Sequence, residues 1–402
     1  MADMKSDRKK LMILGAGYNQ LPAIRRAAAK GYFVITVDYL PDNIGHRYSH
    51  HFVNCSTVER EGVLDAARTL AIDGIATFAS DVATPSVAYV AEKLGLPGCG
   101  CKVAEAMSNK GRFRQIQKRN GLRHPRFTVV RHFEEIGAAM AQMEGRAVLK
   151  PVDTSGSRGI CAIEEGASDG WMAAFQNTLR FARSGEAILE EYVPGLDITG
   201  DGFVRNGKLA AVAFTRKRVS RFIVTGHFLP PALPDDVTRL IRAEIEANCA
   251  AVGYENGPID FDVRQGDGRV TVIEMTPRLG GNGLPAMIER ASGCDLTDHA
   301  IEYALDHRVS FPDDLRIQRT CGSMIFGSEK AGSIQHIGSR DHICRQIPEI
   351  FSCMIKYGRG DRVAPFIHGG NSIGEVLFDC SSPLHYDDIA ARFHQALDLR
   401  VA

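Results

Sequence analysis

The chain has 402 residues, 44% hydrophobic and 24% charged, a composition that predicts a folded protein with a substantial core. Lys+Arg and Asp+Glu both number 48, so the formal net charge is zero, which argues against binding to nucleic acid or to a membrane. The ten cysteines include one close pair, Cys99 and Cys101, but no CxxC, and indicate neither a zinc site nor a disulfide framework. The charged start is followed by an apolar run only as long as a strand, so we expect a cytoplasmic protein.

The first hundred residues alternate strands with helices. "KLMILGAG", "YFVITVDYL" and "GIATFAS" are predicted strands, separated by helices over about 21–30 and 59–70. This βαβαβ order predicts a parallel sheet with crossover helices, in a Rossmann-like domain.

The first turn of this domain partly matches a dinucleotide fingerprint. Gly15 and Gly17 open the first helix, and Asp38 ends the second strand, where such folds place a ribose-binding acid. Gln20, however, stands in the position of the third glycine. The turn therefore leaves three interpretations open: an NAD(P) site, a tight structural turn, or a turn that holds a substrate.

A helix is expected over about 102–120, followed by a strand that ends at Lys150. The loop after it, Thr154 to Gly159, consists mostly of small residues, which lets consecutive backbone N–H groups face an anion beside the lysine charge. A flexible surface hairpin is the alternative for this loop. The basic run from Arg216 to Arg221 is interpreted as a solvated hairpin rather than as a guide for a carboxylated substrate.

Two acidic strands follow after a helix over about 236–252. In "GPIDFDVRQGDGRVTVIEMTPR" one strand alternates apolar residues with Asp260 and Asp262, and the returning strand carries Glu274. With an odd number of residues in the loop, Asp262 and Glu274 are diagonal neighbours on one face, roughly 7 to 8 Å apart. Mg²⁺ accepts one or two protein carboxylates together with phosphate oxygens, so it would relieve the repulsion between them. Two solvated acids on an exposed face are the alternative.

These motifs together resemble the ATP-grasp superfamily of carboxylate–amine ligases. Lys110, Lys150, the Ser/Gly loop, "ILEEYVPG", "DFD" and "EMTPRLGG" occur in the superfamily's order, over about residues 5–380. The layout is most similar to the L-amino acid ligase and biotin-carboxylase-like branch. The resemblance implies a mixed α/β (α+β) ATP-grasp fold. Its domains would be a Rossmann-like pre-ATP-grasp domain (1–105), a small lid subdomain (106–190), a large subdomain with the metal site (191–310) and a strand-rich C-terminal lobe (311–402).

The resemblance also implies the site residues. The ATP-binding residues would be Lys110, Lys150, Ser155, Gly156, Ser157, Gly159, Glu190, Glu191, Val193 and Asp197. Asp262, Glu274 and Thr276 would hold Mg²⁺ or Mn²⁺, although the family usually has glutamate and asparagine at the first and last of these positions. Arg278 would lie against the acyl phosphate. His227 would face the substrate, with a strand-end histidine bonded to a neighbouring carbonyl as the alternative.

The activity implied is ATP-dependent amide formation through an acyl phosphate, on an amino acid or a similar small carboxylate, with release of ADP and phosphate. The partners would be a small-molecule carboxylate and amine, and the relatives suggest a homodimer. One alternative is an ATP-grasp carboxylase or purine-synthesis ligase that uses bicarbonate or an aminated ribonucleotide. Another is an NAD(P)-binding protein.

Overall fold

The computed structural model describes residues 8–164, 166, 168–306 and 308–402. Within these residues, strands form four sheets that pack against helices, so the mixed α/β class is confirmed. No helix in these ranges has the length and apolarity required to span a bilayer.

The first sheet is parallel, with the strand order β3-β2-β1-β4, as the βαβαβ pattern predicts. Its elements are β1 (Lys10–Leu14), α1 (Leu21–Ala29), β2 (Phe33–Asp38), β3 (His51–Asn54), α2 (Arg60–Leu70), β4 (Gly74–Thr77) and α3 (Thr84–Leu94). Strand β3 and helix α3 are absent from the sequence prediction. The side chains of β3 are largely exposed, so this short edge strand carries no buried apolar pattern.

The glycine turn after β1 is closed by the protein's own polar groups. The two carboxylate oxygens of Asp38 accept hydrogen bonds from the backbone N–H groups of Ala16 (2.9 Å) and Leu40 (3.0 Å). Gln20 accepts a bond from the N–H of Gly17 (3.1 Å) and donates one to a carbonyl of the neighbouring strand end. These contacts favour the structural turn over the dinucleotide site.

Residues 101–119 form two helices, α4 (Cys101–Ser108) and α5 (Lys110–Arg119), where the sequence pattern predicts one. Asn109 breaks the helix because it has an extended backbone, with φ −123° and ψ 110°, and its side chain caps α5 by accepting a bond from the N–H of Arg112. Lys110 therefore begins a helix, and its N–H donates to the carbonyl of Val152 (2.8 Å). The break brings Lys110 to the start of the Ser/Gly loop.

A second sheet is antiparallel, with the order β5-β8-β6-β7. Its strands are β5 (Phe127–Val130), β6 (Arg146–Pro151), β7 (Cys161–Glu164) and β8 (Ala187–Glu191). Two helices lie between them in the chain, α6 (Glu135–Met140) and α7 (Trp171–Leu179). The Ser/Gly loop joins β6 to β7. Lys150 and Glu190 lie on neighbouring strands of this sheet.

The third sheet has eight strands in the order β13-β12-β9-β10-β11-β14-β18-β16. Its first part contains β9 (Leu196–Arg205), β10 (Lys208–Ser220), β11 (Ile223–Leu229), α8 (Asp235–Val252), β12 (Gly257–Gly266) and β13 (Arg269–Thr276). Then follow α9 (Leu284–Ser292), α10 (Leu296–Leu305), β14 (Cys321–Phe326), β15 (Gly332–His336), α11 (Arg340–Gln346), β16 (Ile350–Ile355), β17 (Arg362–Val363), β18 (Gly374–Asp379), α12 (Pro383–Leu397) and β19 (Arg400–Val401). Strands β17, β15 and β19 form the small fourth sheet. Strands from both sides of residue 310 share the large sheet, and the division into four domains stays a prediction.

Candidate active site

The sheets and the N-terminal turn surround a cavity of about 480 Å³, a volume typical of small-molecule sites. Most of the predicted site residues line it, namely Lys110, Lys150, Ser155, Gly156, Ser157, Glu190, Glu191, Val193, Asp197, His227, Asp262, Glu274 and Arg278. Gly159 and Thr276 are not among the lining residues. Gly159 packs behind the loop, where its carbonyl accepts a bond from Thr178 (2.7 Å), and Thr276 is buried opposite Asp260.

Two of the three predicted metal ligands, Asp262 and Glu274, face one another directly across β12 and β13, rather than diagonally. The hairpin pairs Val263 with Val272 but Asp262 with Glu274, so Ile273 is an extra residue in the second strand. The Asp267–Gly268 turn has two residues, and an unbroken ladder would therefore place Glu274 on the other face. The bulge at Ile273 supplies the odd residue that brings the carboxylates together.

Each of these carboxylates forms an ion pair with its own lysine. Lys217 Nζ lies 2.6 Å from Asp262 Oδ2, and Lys110 Nζ lies 2.9 Å from Glu274 Oε1. Burial alone raises the pKa of Asp262, but the ammonium of Lys217 outweighs it, so the net pKa is lowered. Each lysine contacts one carboxylate oxygen, which leaves the other oxygen of each acid as a ligand for a divalent cation.

This donor set fits magnesium only together with a phosphate. In the described ranges, no three or more His, Cys, Asp or Glu side chains are grouped so that they could hold a metal ion. Mg²⁺ is commonly held by one or two carboxylates plus substrate phosphate oxygens and water, with little else from the protein. The facing pair of Asp262 and Glu274 provides such a partial site.

The interpretation of residues 216–221 as a solvated hairpin is wrong for Lys217. Strand β10 continues to Ser220, and Lys217 pairs with His227 of β11 in the large sheet. Its side chain is only 12% exposed and lines the cavity. The signal available in the sequence was the alternation along this strand, which turns Lys217 away from the exposed Arg216.

Glu190 is a buried acid held between two cations. Its carboxylate accepts bonds from Arg114 Nε (2.8 Å) and Lys150 Nζ (2.7 Å), and its side chain is 2% exposed. Burial raises the pKa of Glu190, but the charges of Arg114 and Lys150 together lower it to about 2. No motif in the sequence marks Arg114, whose side chain is fully buried on α5.

The end of β8 presents an open backbone edge to the cavity. The N–H groups of Glu191 and Tyr192 donate to carbonyls of the neighbouring segments, whereas that of Val193 has no backbone partner among the described residues. Val193 lines the cavity beside the apolar side chains of Val148 and Ile273. An apolar slot with a free N–H suits the edge of a purine ring. Asp197, at the entry of β9, is paired with Arg264 (2.9 Å).

Arg278 connects the N-terminal domain to the large sheet. Its guanidinium donates to Asp81 Oδ1 (Nε, 2.7 Å) and to Asp260 Oδ2 (Nη1, 2.6 Å), and its side chain is 9% exposed. Asp201, fully buried next to Asp260, accepts bonds from the N–H of Gly280, and burial raises its pKa well above the ordinary value. The acids therefore fix both the arginine and the glycine turn after it.

His227 is buried and neutral at physiological pH. Burial, with a smaller contribution from Lys217, lowers its pKa to about 3, and Nδ1 lies 3.0 Å from the hydroxyl of Ser323. Its observed partner is thus a hydroxyl rather than a carbonyl. A neutral imidazole that lines the cavity can donate or accept one hydrogen bond but brings no charge.

The Ser/Gly loop is anchored around the rim of the cavity. Ser157 Oγ donates to the carbonyl of Phe222 (2.7 Å), and the carbonyl of Gly156 accepts from the N–H of Gly369 in the C-terminal lobe (2.9 Å). Lys110 Nζ also donates to the carbonyl of Thr154 (2.7 Å). The loop thus lies over the cavity, as expected of a lid.

Comparison with known proteins agrees with this geometry. Residues 144–286 match the family described as the ATP-grasp domain. The alanine–anticapsin ligase of Bacillus amyloliquefaciens is 24% identical over 319 residues, which cover 73% of this chain and 66% of that protein. The aligned stretch thus spans about two thirds of that relative's length.

Solved structures show the same fold over nearly the whole chain. The L-amino acid ligase from Bacillus licheniformis has a TM-score of 0.80 at 22% identity and covers 99% of each chain. The N5-carboxyaminoimidazole synthetase from Staphylococcus aureus, complexed with ADP, has a TM-score of 0.75 at 14% identity and covers 96% of this chain and 97% of its own. Residues 144–286 are therefore an ATP-grasp domain, and the chain shares over nearly its whole length the fold of these solved structures. ATP-grasp ligases use ATP and Mg²⁺ to form C–N bonds.

Proposed function

We propose that this ligase joins a carboxylate to an amine through an acyl phosphate, with an amino acid or a similar small carboxylate as substrate. The observation that carries the proposal is the meeting of Asp262 and Glu274 with Lys110, Lys150 and Arg278 in one cavity under the loop. The relatives named alanine–anticapsin ligase and L-amino acid ligase support an amino acid substrate.

In the first step a carboxylate oxygen of the substrate attacks the γ-phosphorus of ATP, and the bond between that phosphorus and the β,γ-bridging oxygen breaks. ADP leaves with the bonding electrons. Lys150 and Lys110 would lie against the phosphates, and Arg278 would stabilise the charge on the transferred oxygens. Mg²⁺ held by Asp262 and Glu274 would supply additional positive charge at the phosphates.

In the second step the amine nitrogen attacks the acyl carbon, the bond from that carbon to the phosphate oxygen breaks, and the nitrogen loses a proton to solvent. The products are an amide and inorganic phosphate. Arg278 and a hydrogen bond from His227 would stabilise the oxyanion of the tetrahedral intermediate. The loop over residues 154–159 would exclude water, which otherwise hydrolyses the acyl phosphate.

The test is a screen of phosphate release from Mg-ATP against pools of small carboxylates and amines, followed by isotope tracing. With ¹⁸O in the active carboxylate, one ¹⁸O atom is expected in the released phosphate, because only attack by the carboxylate on phosphorus transfers it. Release of AMP and pyrophosphate, or phosphate without ¹⁸O, would contradict the acyl phosphate route.

A bicarbonate-dependent enzyme would be recognised in the same screen. Phosphate release that requires bicarbonate and no other carboxylate would replace the present proposal with the carboxylase alternative.

A further inference from the structure

One end of the cavity is built by parts of the chain that carry none of the predicted ATP-binding residues. Tyr18 and Asn19 come from the N-terminal turn, Asn282 follows the glycine turn after β13, and Lys356 comes from the C-terminal lobe. Tyr18 and Lys356 are in contact: the phenol donates to the lysine carbonyl (3.3 Å), and the ammonium lies 6.0 Å from the ring centre.

The charges that line the cavity are mostly matched. Among the described residues, Lys110, Lys150, Lys217, Arg264 and Arg278 each have a carboxylate within 4 Å. Two lining cations have no such described partner: Arg158, which belongs to the lid loop, and Lys356. Lys356 is therefore a lining cation without a contacting carboxylate, and it comes from the C-terminal lobe rather than from the lid loop.

The ammonium of Lys356 is held in position but not neutralised. Nζ donates to Ser372 Oγ (2.6 Å), and that hydroxyl donates to the carbonyl of Gly369 (3.0 Å) in the segment that contacts the lid loop. An ammonium has three N–H donors, so this bond leaves two for another acceptor. Burial lowers the pKa of Lys356, as expected for an ammonium that lacks a contacting counter-charge.

Among the residues that the structure describes, Glu375 is the acid that acts on this lysine electrostatically, and it is not a contact partner. No ion pair within 4 Å joins the two described side chains, and burial raises the pKa of Glu375 to about 7 despite the lysine. A lysine placed to neutralise Glu375 would be expected in contact with it. The open donors of Lys356 point to a different acceptor.

We propose that Lys356 binds an anionic group, a carboxylate or a phosphate, of the amine substrate. The inference rests on the proposed ligase function and names a feature of its second substrate. The nucleotide would be bound by the loop and by β8, and the reacting carboxylate must lie at the γ-phosphate near Glu274 and Arg278. The group left for Lys356 is a second charge carried by the nucleophile, such as the α-carboxylate of an amino acid.

The experiment compares each active amine with its uncharged analogue, under saturating Mg-ATP and carboxylate. An amino acid is paired with its carboxamide, and phosphoethanolamine is paired with ethanolamine, so the two arms separate carboxylate from phosphate. The proteins are wild type, Lys356→Met, Lys356→Arg and the matched control Lys330→Met. The control removes an exposed lysine of the C-terminal lobe that does not line the cavity, and it should leave the rate unchanged.

Wild type and the control should prefer the anionic amine by about 30-fold or more in kcat/KM, because losing one partner of a desolvated charge pair costs about 2 kcal/mol or more. In Lys356→Met this preference should fall to about onefold, since the lost interaction involves the same charge. Lys356→Arg should retain most of the preference, and the KM for ATP should stay the same in all four proteins.

Three results would overturn the inference without affecting the ligase function: a wild type that turns over both analogues equally, a Lys356→Met variant that keeps the preference, or a variant defect confined to the KM for ATP. The wild-type comparison decides the question even where Lys356→Met fails to fold. Absence of phosphate release by wild type with every carboxylate and amine would instead refute the ligase proposal, and the inference with it.

Discussion

The buried triad of Glu190, Arg114 and Lys150 gives the sharpest test of how charge supports this fold. Glu190→Gln keeps the side-chain shape but removes the negative charge that compensates two buried cations. The Arg114 side chain has no exposed surface, so its guanidinium would remain buried with its principal counter-charge lost. Breaking a buried ion pair by removing one partner costs about 3–5 kcal/mol.

The pKa of Glu190 gives a second figure for the same interaction. One pKa unit corresponds to about 1.4 kcal/mol, so a fall from the ordinary 4.5 to about 2 corresponds to about 3 kcal/mol of folding free energy. Because the pKa is lowered in the folded protein, this stabilisation is complete above pH 4.5 and is lost as the pH falls toward 2. This figure lies at the lower end of the range of about 3–5 kcal/mol.

The assay is urea unfolding of wild type and Glu190→Gln at several pH values, with Glu191→Gln as the matched control. Glu191 is the next residue of β8 and pairs with Arg126, but both side chains are partly exposed, at 28% and 43%. A surface pair of this kind contributes about 0–1 kcal/mol. We expect a large loss for Glu190→Gln above pH 5, which narrows below pH 4.5, and a small loss for the control. Equal losses in the two variants, or a difference independent of pH, would refute the argument.

Three further outcomes are expected. In Arg278→Lys the side chain cannot donate to Asp81 and Asp260 at the same time, so turnover in a phosphate-release assay should fall by about 10²- to 10³-fold. Nucleotide binding, measured by titration, should largely be kept. Unchanged turnover would contradict the role of Arg278. Asp81→Asn removes one of the two acids that hold Arg278 and should lower the free energy of unfolding by about 3 kcal/mol, measured by urea unfolding, whereas Asp42→Asn on an exposed loop should not. Chelation by EDTA should abolish phosphate release, and Mg²⁺ or Mn²⁺ should restore it; activity that survives chelation would exclude a metal site at Asp262 and Glu274.

The sequence predicted what depends on local spacing. The parallel N-terminal sheet follows from alternating strands and helices. The motifs around Lys150, Glu190 and Glu274 each lie near a strand end. Recognition of the ATP-grasp superfamily from these motifs is confirmed.

What the sequence did not predict depends on partners far along the chain. Asp81 meets Arg278 across 197 residues, and Lys217 meets Asp262 across 45, so neither pairing leaves a local pattern. The bulge at Ile273 is a third case, since counting residues in the hairpin does not show where a ladder slips. The individual roles assigned to the site residues stay predictions.

The ion pairs of the site also explain why a metal would be needed with the nucleotide. Asp262 and Glu274 are each balanced by one lysine, so the site is close to neutral as folded. Phosphates that enter beside Lys110 would compete with Glu274 for its ammonium. They would also bring their own negative charge next to Glu274, and repulsion between these like charges would oppose their binding. Asp262 and Glu274 would hold a divalent cation that enters with the phosphates, and its charge would replace that of the displaced lysine. The dependence on metal would then follow from the protein's own charge balance, which explains why two carboxylates suffice where a stand-alone metal site would require more ligands.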